Sequence, residues 1–512
     1  MAAKGRNANL PRSAAGPNSP WLIAVIVSIA TFMEVLDTTI ANVALRHIAG
    51  GLAASQDEST WILTSYLVSN AIVLPISGWL SNVIGRKRFY MGCVALFTVS
   101  SVACGFATSL PMMVVFRIIQ GIGGGGLAPT EQSMFADSFP PEKRSLAFAL
   151  YGLTVVVAPA IGPVLGGWLT DNYSWHWVFL INLPFGLLSL TLVSIFVYEP
   201  KLLVDERKAR LKKGLSIDYI GFALVAIGFG TLQVVLDRFE RDDGFSSAFI
   251  TWFSIVSAVS LVALVIWELL HEQPVVNVRL LAIPSFAISC SVMFIIGFML
   301  ISTTQLLPQF SQELLGYDAI TAGMTLGLGG VVTVVLMPIA GLVTGRIQPK
   351  WLLLGALLMT AYSLYNMTGL DLNVSFEELT KARVLQVIAL PFLFIPISSA
   401  SYIGIPPDKT NEASAIINLM RNLGGSVGVS FTTTLLQWRS QFHYERLGEH
   451  VGPYDSMHGK DIGRMGQQVV IQASVMSYID VFWVLAVIAV VVAPLVLFLR
   501  NMPKGVAASS GH

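Results

Sequence analysis

Fourteen stretches of this 512-residue chain stay apolar for long enough to cross about 30 Å of hydrocarbon, and they dictate its fold class before any motif is considered. They lie near 21–44, 59–81, 89–109, 111–133, 146–169, 175–197, 217–236, 246–267, 285–307, 319–343, 351–370, 382–404, 413–436 and 480–499. In hydrocarbon each backbone amide must find its partner within the protein, so runs of this length read as transmembrane α-helices. The residue inventory agrees. Charged residues make up 12% of the chain, about half the share usual in soluble domains, and 54% are hydrophobic. A net charge of +1 offers no field for a polyanion, so nucleic acid is not an expected partner. The expectation is an all-α polytopic membrane protein embedded in lipid.

An even number of spans puts both termini on one side, and the distribution of Lys and Arg says which. With the N-terminus inside, cytoplasmic segments collect 20 of the 31 basic residues and external segments 8; the spans hold Arg117, Arg383 and Arg421. Dropping the longest loop on each side leaves the bias in place. Both termini are therefore expected in the cytoplasm, with a disordered tail over 1–20 and a second tail over 501–512. Lys4, Arg6 and Arg12 mimic the start of a secretory signal, but the following run is too long and carries Glu34 and Asp37, so it reads as an uncleaved anchor.

Weak internal symmetry is a mark of secondary transporters. Arg117-Ile-Ile-Gln120 in the fourth span is echoed by Arg383-Val-Leu-Gln386 in the twelfth. Gly78 to Arg86, which closes the second span, is echoed by Gly341 to Arg346 at the end of the tenth. Both pairs are eight spans apart. That spacing predicts an N-terminal six-helix bundle over 21–197 and a basic linker with two extra helices over 198–283. A C-terminal six-helix bundle follows over 284–500, with an external loop at 437–478.

Charges inside the spans are the residues that call for a reason. An ionised side chain at bilayer depth costs about 2.5–3.5 kcal/mol on insertion scales. Glu34 and Asp37 are three apart and are expected on one helix face. Their functional reading is proton coupling; the bland one is neutralisation of a buried arginine. Arg117 lies at a depth matching Asp37, each about 10 Å from the outer surface, so the two are expected to pair. Protonation of the acid would then free Arg117. Arg421 is too deep to reach water and is read as lining a cavity or contacting an anion, against a carbonyl-capped structural role. Arg383, nearer its span's end, is expected to snorkel. Gly162 and Gly166 make a small-xxx-small face for close helix packing, and Pro159 and Pro163 on the same helix add bends. Gly121 and Gly123–Gly126 loosen the fourth span. No Gly-Lys-Ser/Thr follows these glycine runs, so a nucleotide loop is not expected. No metal-ligand spacing or nucleophile–base set stands out either. His443, His450 and His458 are widely spaced, which suits a solvated or docking loop better than a metal site. Neither enzyme chemistry nor a cofactor is expected.

These motifs in this order resemble a known family. Leu36-Asp37-Thr-Thr-Ile-Ala-Asn-Val-Ala44 is similar to the first-helix motif of fourteen-helix drug:proton antiporters of the major facilitator superfamily. Gly78 to Lys87, with Gly85 and Arg86, resembles that superfamily's loop between helices 2 and 3, and Arg117-Ile-Ile-Gln-Gly121 its helix-4 motif. Ala158-Pro-Ala-Ile-Gly162-Pro163-Val-Leu-Gly166-Gly167 resembles the helix-5 motif of exporters. Trp175 to Gly186 and, in the C-terminal half, Asn418 to Gly425 extend the likeness. Three positions depart from the pattern. Asn82 stands where the loop motif has Asp, Val83 where it has a basic residue, and Glu34 where a neutral polar residue is usual.

The resemblance implies a proton-coupled efflux transporter of the bacterial inner membrane that exports hydrophobic drugs by alternating access. It also implies a periplasmic membrane-fusion adaptor and an outer-membrane channel as partners, and a proton gradient in place of a cofactor. Two alternatives stay open: a dedicated exporter or importer of one metabolite or siderophore, and a membrane sensor or scaffold that moves nothing.

Overall fold

The computed structural model describes residues 19–199, 204, 205, 207, 218–449 and 462–499. The expected tails at 1–18 and 501–512, most of the basic linker between Lys201 and Lys213, and residues 450–461 with His450 and His458 lie outside the described residues.

The described chain is helical and without strands, and fourteen long helices account for it. They are α1 (Pro20–Gly51), α2 (Trp61–Ile84), α3 (Arg86–Gly105), α4 (Leu110–Ser138), α5 (Pro141–Asn172), α6 (His176–Phe196), α7 (Tyr219–Arg238) and α8 (Ala248–Leu270). The second half holds α9 (Pro284–Glu313), α10 (Ala319–Thr344), α11 (Pro349–Met367), α12 (Phe376–Ala400), α13 (Thr410–Gly448) and α14 (Ile462–Val492). Twelve of the spans are long and apolar enough to cross a membrane. The exceptions are α11 and α13, whose apolar residues are diluted by polar ones; both nevertheless pack into the same bundle.

Side chains cap several helix starts. Ser375 and Glu378 form a reciprocal capping box on α12, while Asp218 and Asp318 accept from backbone amides of α7 and α10. Helices run past their apolar stretches wherever polar sequence keeps helical propensity. This corrects the long external loop expected over 437–478. α13 continues to Gly448 and α14 begins at Ile462, so most of that segment is helical. Hydropathy marks only the part of a helix that meets hydrocarbon, and these two ends are polar. They are tied together where Asp480 accepts from Arg439 at 2.6 Å and meets His443 at 2.7 Å.

The six-plus-two-plus-six order appears in the packing. α1 lies against α5, and its counterpart eight helices on, α9, lies against α13. Glycines set both approaches. A Cβ on Gly162 would overlap the Thr39 hydroxyl of α1, and one on Gly424 would overlap the Phe294 carbonyl of α9. The expected role of the exporter-motif glycines in close packing thus holds for Gly162 and for Gly166, where an added Cβ would lie 3.2 Å from Ile40. It does not hold for Gly167, which faces open space. The halves meet along α5 and α10 and where α2 crosses α13. The extra helices α7 and α8 pair with each other, and α7 also packs against α2 and α13.

Candidate functional site

Between the halves lies a cavity of about 1130 Å³. Glu34, Arg117 and Arg421 line its deeper part, with Pro159 on the α5 wall. From there it extends toward Gln309, Glu313, Gln441 and Tyr444, at the helix ends opposite the basic loops around Arg86, Lys143 and Arg346. α7 supplies part of the wall through Gln233 and Asp237, with Glu240 just beyond its end. One of the two extra helices, expected only as an insert, is thus part of the site.

Asp37 and Arg117 pair as their matched depth predicts. Arg117 Nη1 is 2.8 Å from Asp37 Oδ2, and both side chains are fully buried. The other carboxylate oxygen accepts from Asn182 Nδ2 at 2.6 Å and Gln120 Nε2 at 3.0 Å. Arg117 also donates through Nε to the Ile62 carbonyl and through Nη1 to Gln120 Oε1, and its guanidinium stacks 4.4 Å from the Tyr66 ring centre. A buried ion pair survives only when such bonds satisfy its remaining donors and acceptors. One donor here, Arg117 Nη2, has no partner among the described residues.

Glu34 and Asp37 do not share a face in the sense expected. At 100° per residue, three positions leave about 60° between side chains, enough to separate their environments. Glu34 faces the cavity, where Tyr66 and Asn70 each donate to it at 3.2 Å. Asp37 lies behind Arg117, away from the cavity lining. Tyr66 connects the two acids: its hydroxyl reaches Glu34 and its ring supports Arg117.

Arg421 lines the cavity from α13 and has no carboxylate within ion-pair distance among the described residues. It donates to the Tyr151 hydroxyl and to Asn422 Oδ1. Arg383 does not snorkel. It is 5% exposed, donates to Gln386 Oε1 at 2.7 Å and to Thr304 Oγ1 at 3.3 Å, and leaves Nε without a partner. The Arg-x-x-Gln echo therefore produces the same arginine–glutamine bond in each half, but an acid completes only the first.

The second-helix motif closes the opposite end. Gly85, with φ +98°, ends α2 and starts α3 in a backbone conformation that favours glycine. Arg86 pairs with Asp137 of α4, and its amide donates to Glu199. Gly78 lets α13 approach, its Cβ position being 3.0 Å from the Asn411 carbonyl. Asn82, the residue that departs from the motif, bonds Asn411 and reaches Glu412. About two turns deeper, Asn418 of α13 bonds Gln132 at 2.8 Å and Tyr151 at 3.2 Å. The halves are thus joined at the basic end and parted by the cavity at the other. Gly121 sits against α2 at Tyr66 and Ser69, a packing role rather than a loosening one. His176 stacks on Trp175 at the start of α6, as an anchor would.

Sequence reading missed Glu131, a fully buried acid on α4 at the edge of an apolar run. It also passed over Tyr66, Asn70, Asn182 and Tyr151. These are uncharged, and nothing in one sequence separates a polar residue at a site from one that merely satisfies its own helix. Glu131 was visible as an acid two residues from a span's estimated end.

The Major Facilitator Superfamily model matches residues 27–429. The multidrug export protein EmrB of Escherichia coli (strain K12) is 35% identical over 505 residues, covering 96% of this chain and 97% of that one. The fatty acid resistance protein FarB of Neisseria gonorrhoeae is 34% identical over 459 residues, 90% of this chain and 89% of that one. Among solved structures, the proton:xylose symporter XylE bound to 6-bromo-6-deoxy-D-glucose shares the fold. Its TM-score is 0.61 at 17% identity, over 94% of this chain and 96% of that one.

Proposed function

Because the chain belongs to the Major Facilitator Superfamily, we propose that it is a proton-driven exporter of hydrophobic drugs and toxic organic compounds in the bacterial inner membrane. The observation that carries this reading is the fully buried Asp37–Arg117 pair standing directly behind a drug-sized, mainly apolar cavity.

The mechanism follows from the connections around Arg117. With both termini cytoplasmic, the basic face is the inner one, and the cavity in this state serves the outer side. A proton arriving through the cavity meets Glu34 first. Transfer to Asp37 neutralises the carboxylate, and Arg117 loses its counter-charge in a fully buried site. The guanidinium must then find another anion or move, and any movement is transmitted through Tyr66 to Glu34 and the cavity wall. Release of drug outward and uptake of protons thereby share one set of contacts. Breaking the Asn82–Asn411 and Gln132–Asn418 bonds would open the inner face and complete alternating access.

The polar helix ends beyond Gln437 and before Ser474 form the projection best placed to meet a periplasmic adaptor, through which an outer-membrane channel would be reached. Their match to multidrug export proteins over nearly the whole chain supports such an assembly for this one.

Reconstituted vesicles with an imposed pH gradient test the reading. Addition of several chemically unrelated hydrophobic drugs is expected to collapse the gradient. A response to one compound class alone would favour a dedicated exporter, and no response to any would remove antiport.

A further inference from the structure

Glu131 is a buried titratable group that this mechanism leaves unused. It sits on α4, has no solvent exposure, and is not among the residues lining the cavity. One oxygen accepts from Ser28 Oγ of α1 at 2.6 Å. The other, Oε2, has no hydrogen-bond partner among the described residues, and neither does the buried Thr31 Oγ1 of α1. No cation pairs with Glu131 among the described residues. The charged and titratable groups whose fields reach it are Glu34 on α1, Arg421 on α13, Tyr90 on α3 and Tyr151 on α5. Each is engaged elsewhere: Glu34 with Tyr66 and Asn70, Arg421 with Tyr151 and Asn422, Tyr90 with the Val27 carbonyl, Tyr151 with Asn418. An unpaired carboxylate in such a place is costly, and a carboxyl escapes the cost by carrying a proton.

Its position gives that proton a use. Ser28, Thr31 and Glu34 recur every three residues along α1, so two hydroxyls and a carboxyl form a polar row that winds by about 60° around the helix at each step. Ser28, which holds Glu131, is about 9 Å nearer the basic face than Glu34 at 1.5 Å per residue. The residue after Glu131 is Gln132, whose bond to Asn418 of α13 joins the two halves at that face. Parting the halves there breaks a contact one residue from Glu131.

We propose that Glu131 is a further proton-carrying carboxyl of the transport cycle beside Glu34 and Asp37, set toward the basic face and joined to Glu34 by the Thr31 and Ser28 hydroxyls of α1. In the state described here the cavity serves Glu34, and Glu131 is sealed. Opening at the basic face reverses this, so a proton taken up at Glu34 leaves from Glu131. The inference rests on the proton-antiport reading.

Glu131→Gln keeps the bond to Ser28 and removes the proton. In purified protein, drug addition is expected to release protons, and the number released per drug should fall by about a third in Glu131→Gln, the share of one of three coupled carboxyls. Glu131→Asp should restore it. Drug counterflow, which needs no net proton movement, should persist in both variants. Equal release by wild type and Glu131→Gln would overturn the proposal while leaving antiport intact; no release by wild type would overturn both. Should Glu131→Gln not fold, a hydrophobic carbodiimide applied to the wild type reads the same site, since it labels protonated carboxyls in apolar surroundings. Labelling mapped to Glu131 and declining as pH rises is expected. Its absence at every pH would overturn the proposal.

Discussion

Arg117 Nη1 stands 2.8 Å from Asp37 Oδ2 with neither side chain exposed to solvent, in a protein whose other half repeats the arginine without the acid. The pair and its incomplete copy make opposite predictions.

Breaking a buried pair from one side strands the other charge and costs about 3–5 kcal/mol. Asp37→Asn should therefore lower the apparent melting temperature in detergent and abolish drug-driven proton flux. The double variant Asp37→Asn/Arg117→Gln should regain much of the stability and none of the coupling. Equal melting of the single and double variants would contradict the pairing argument.

Arg383 has no carboxylate to strand among the described residues. Arg383→Gln should leave the melting temperature unchanged or raise it, whereas Arg117→Gln lowers it by an amount similar to Asp37→Asn. Thermal unfolding of the two arginine variants side by side checks this. A large loss in Arg383→Gln would reveal an acid partner.

Helix approach at glycine predicts a second contrast. A Cβ on Gly424 overlaps backbone of α9, so Gly424→Ala should cost about 1–3 kcal/mol as α9 and α13 are forced apart. Gly167 faces open space, and Gly167→Ala should stay within about 0.5 kcal/mol of wild type.

Asn82 and Asn411 touch across the closed end, so cysteines at both positions can be joined. Oxidised Asn82→Cys/Asn411→Cys protein should bind drug without transporting it, and reduction should restore transport. Cys93, Cys104 and Cys290 are buried and unpaired, which keeps the native thiols from interfering. Full transport by the cross-linked protein would contradict opening at this face.

Much of this architecture was legible in the sequence because hydrocarbon imposes so few solutions. Length and hydropathy alone placed fourteen helices, and matched depth alone paired Asp37 with Arg117. The polar ends of α13 and α14 were illegible for the same reason, since hydropathy falls silent where a helix leaves the apolar layer. The separation of Glu34 from Asp37 required the rotation of α1 relative to its neighbours. The role of α7 in the cavity wall depends on tertiary packing that no periodicity reports. Glu131 was present in the sequence but lay at an uncertain span boundary, where an acid needs no explanation.

The central claim is that the Asp37–Arg117 pair couples proton movement to drug movement rather than merely holding two helices together. Vesicles containing wild type or Asp37→Asn would be assayed for one drug in two modes: transport driven by a pH gradient, and counterflow against preloaded unlabelled drug without a gradient. Loss of the driven mode with counterflow retained is the predicted result. Gradient-driven transport by Asp37→Asn at the wild-type rate would contradict the claim.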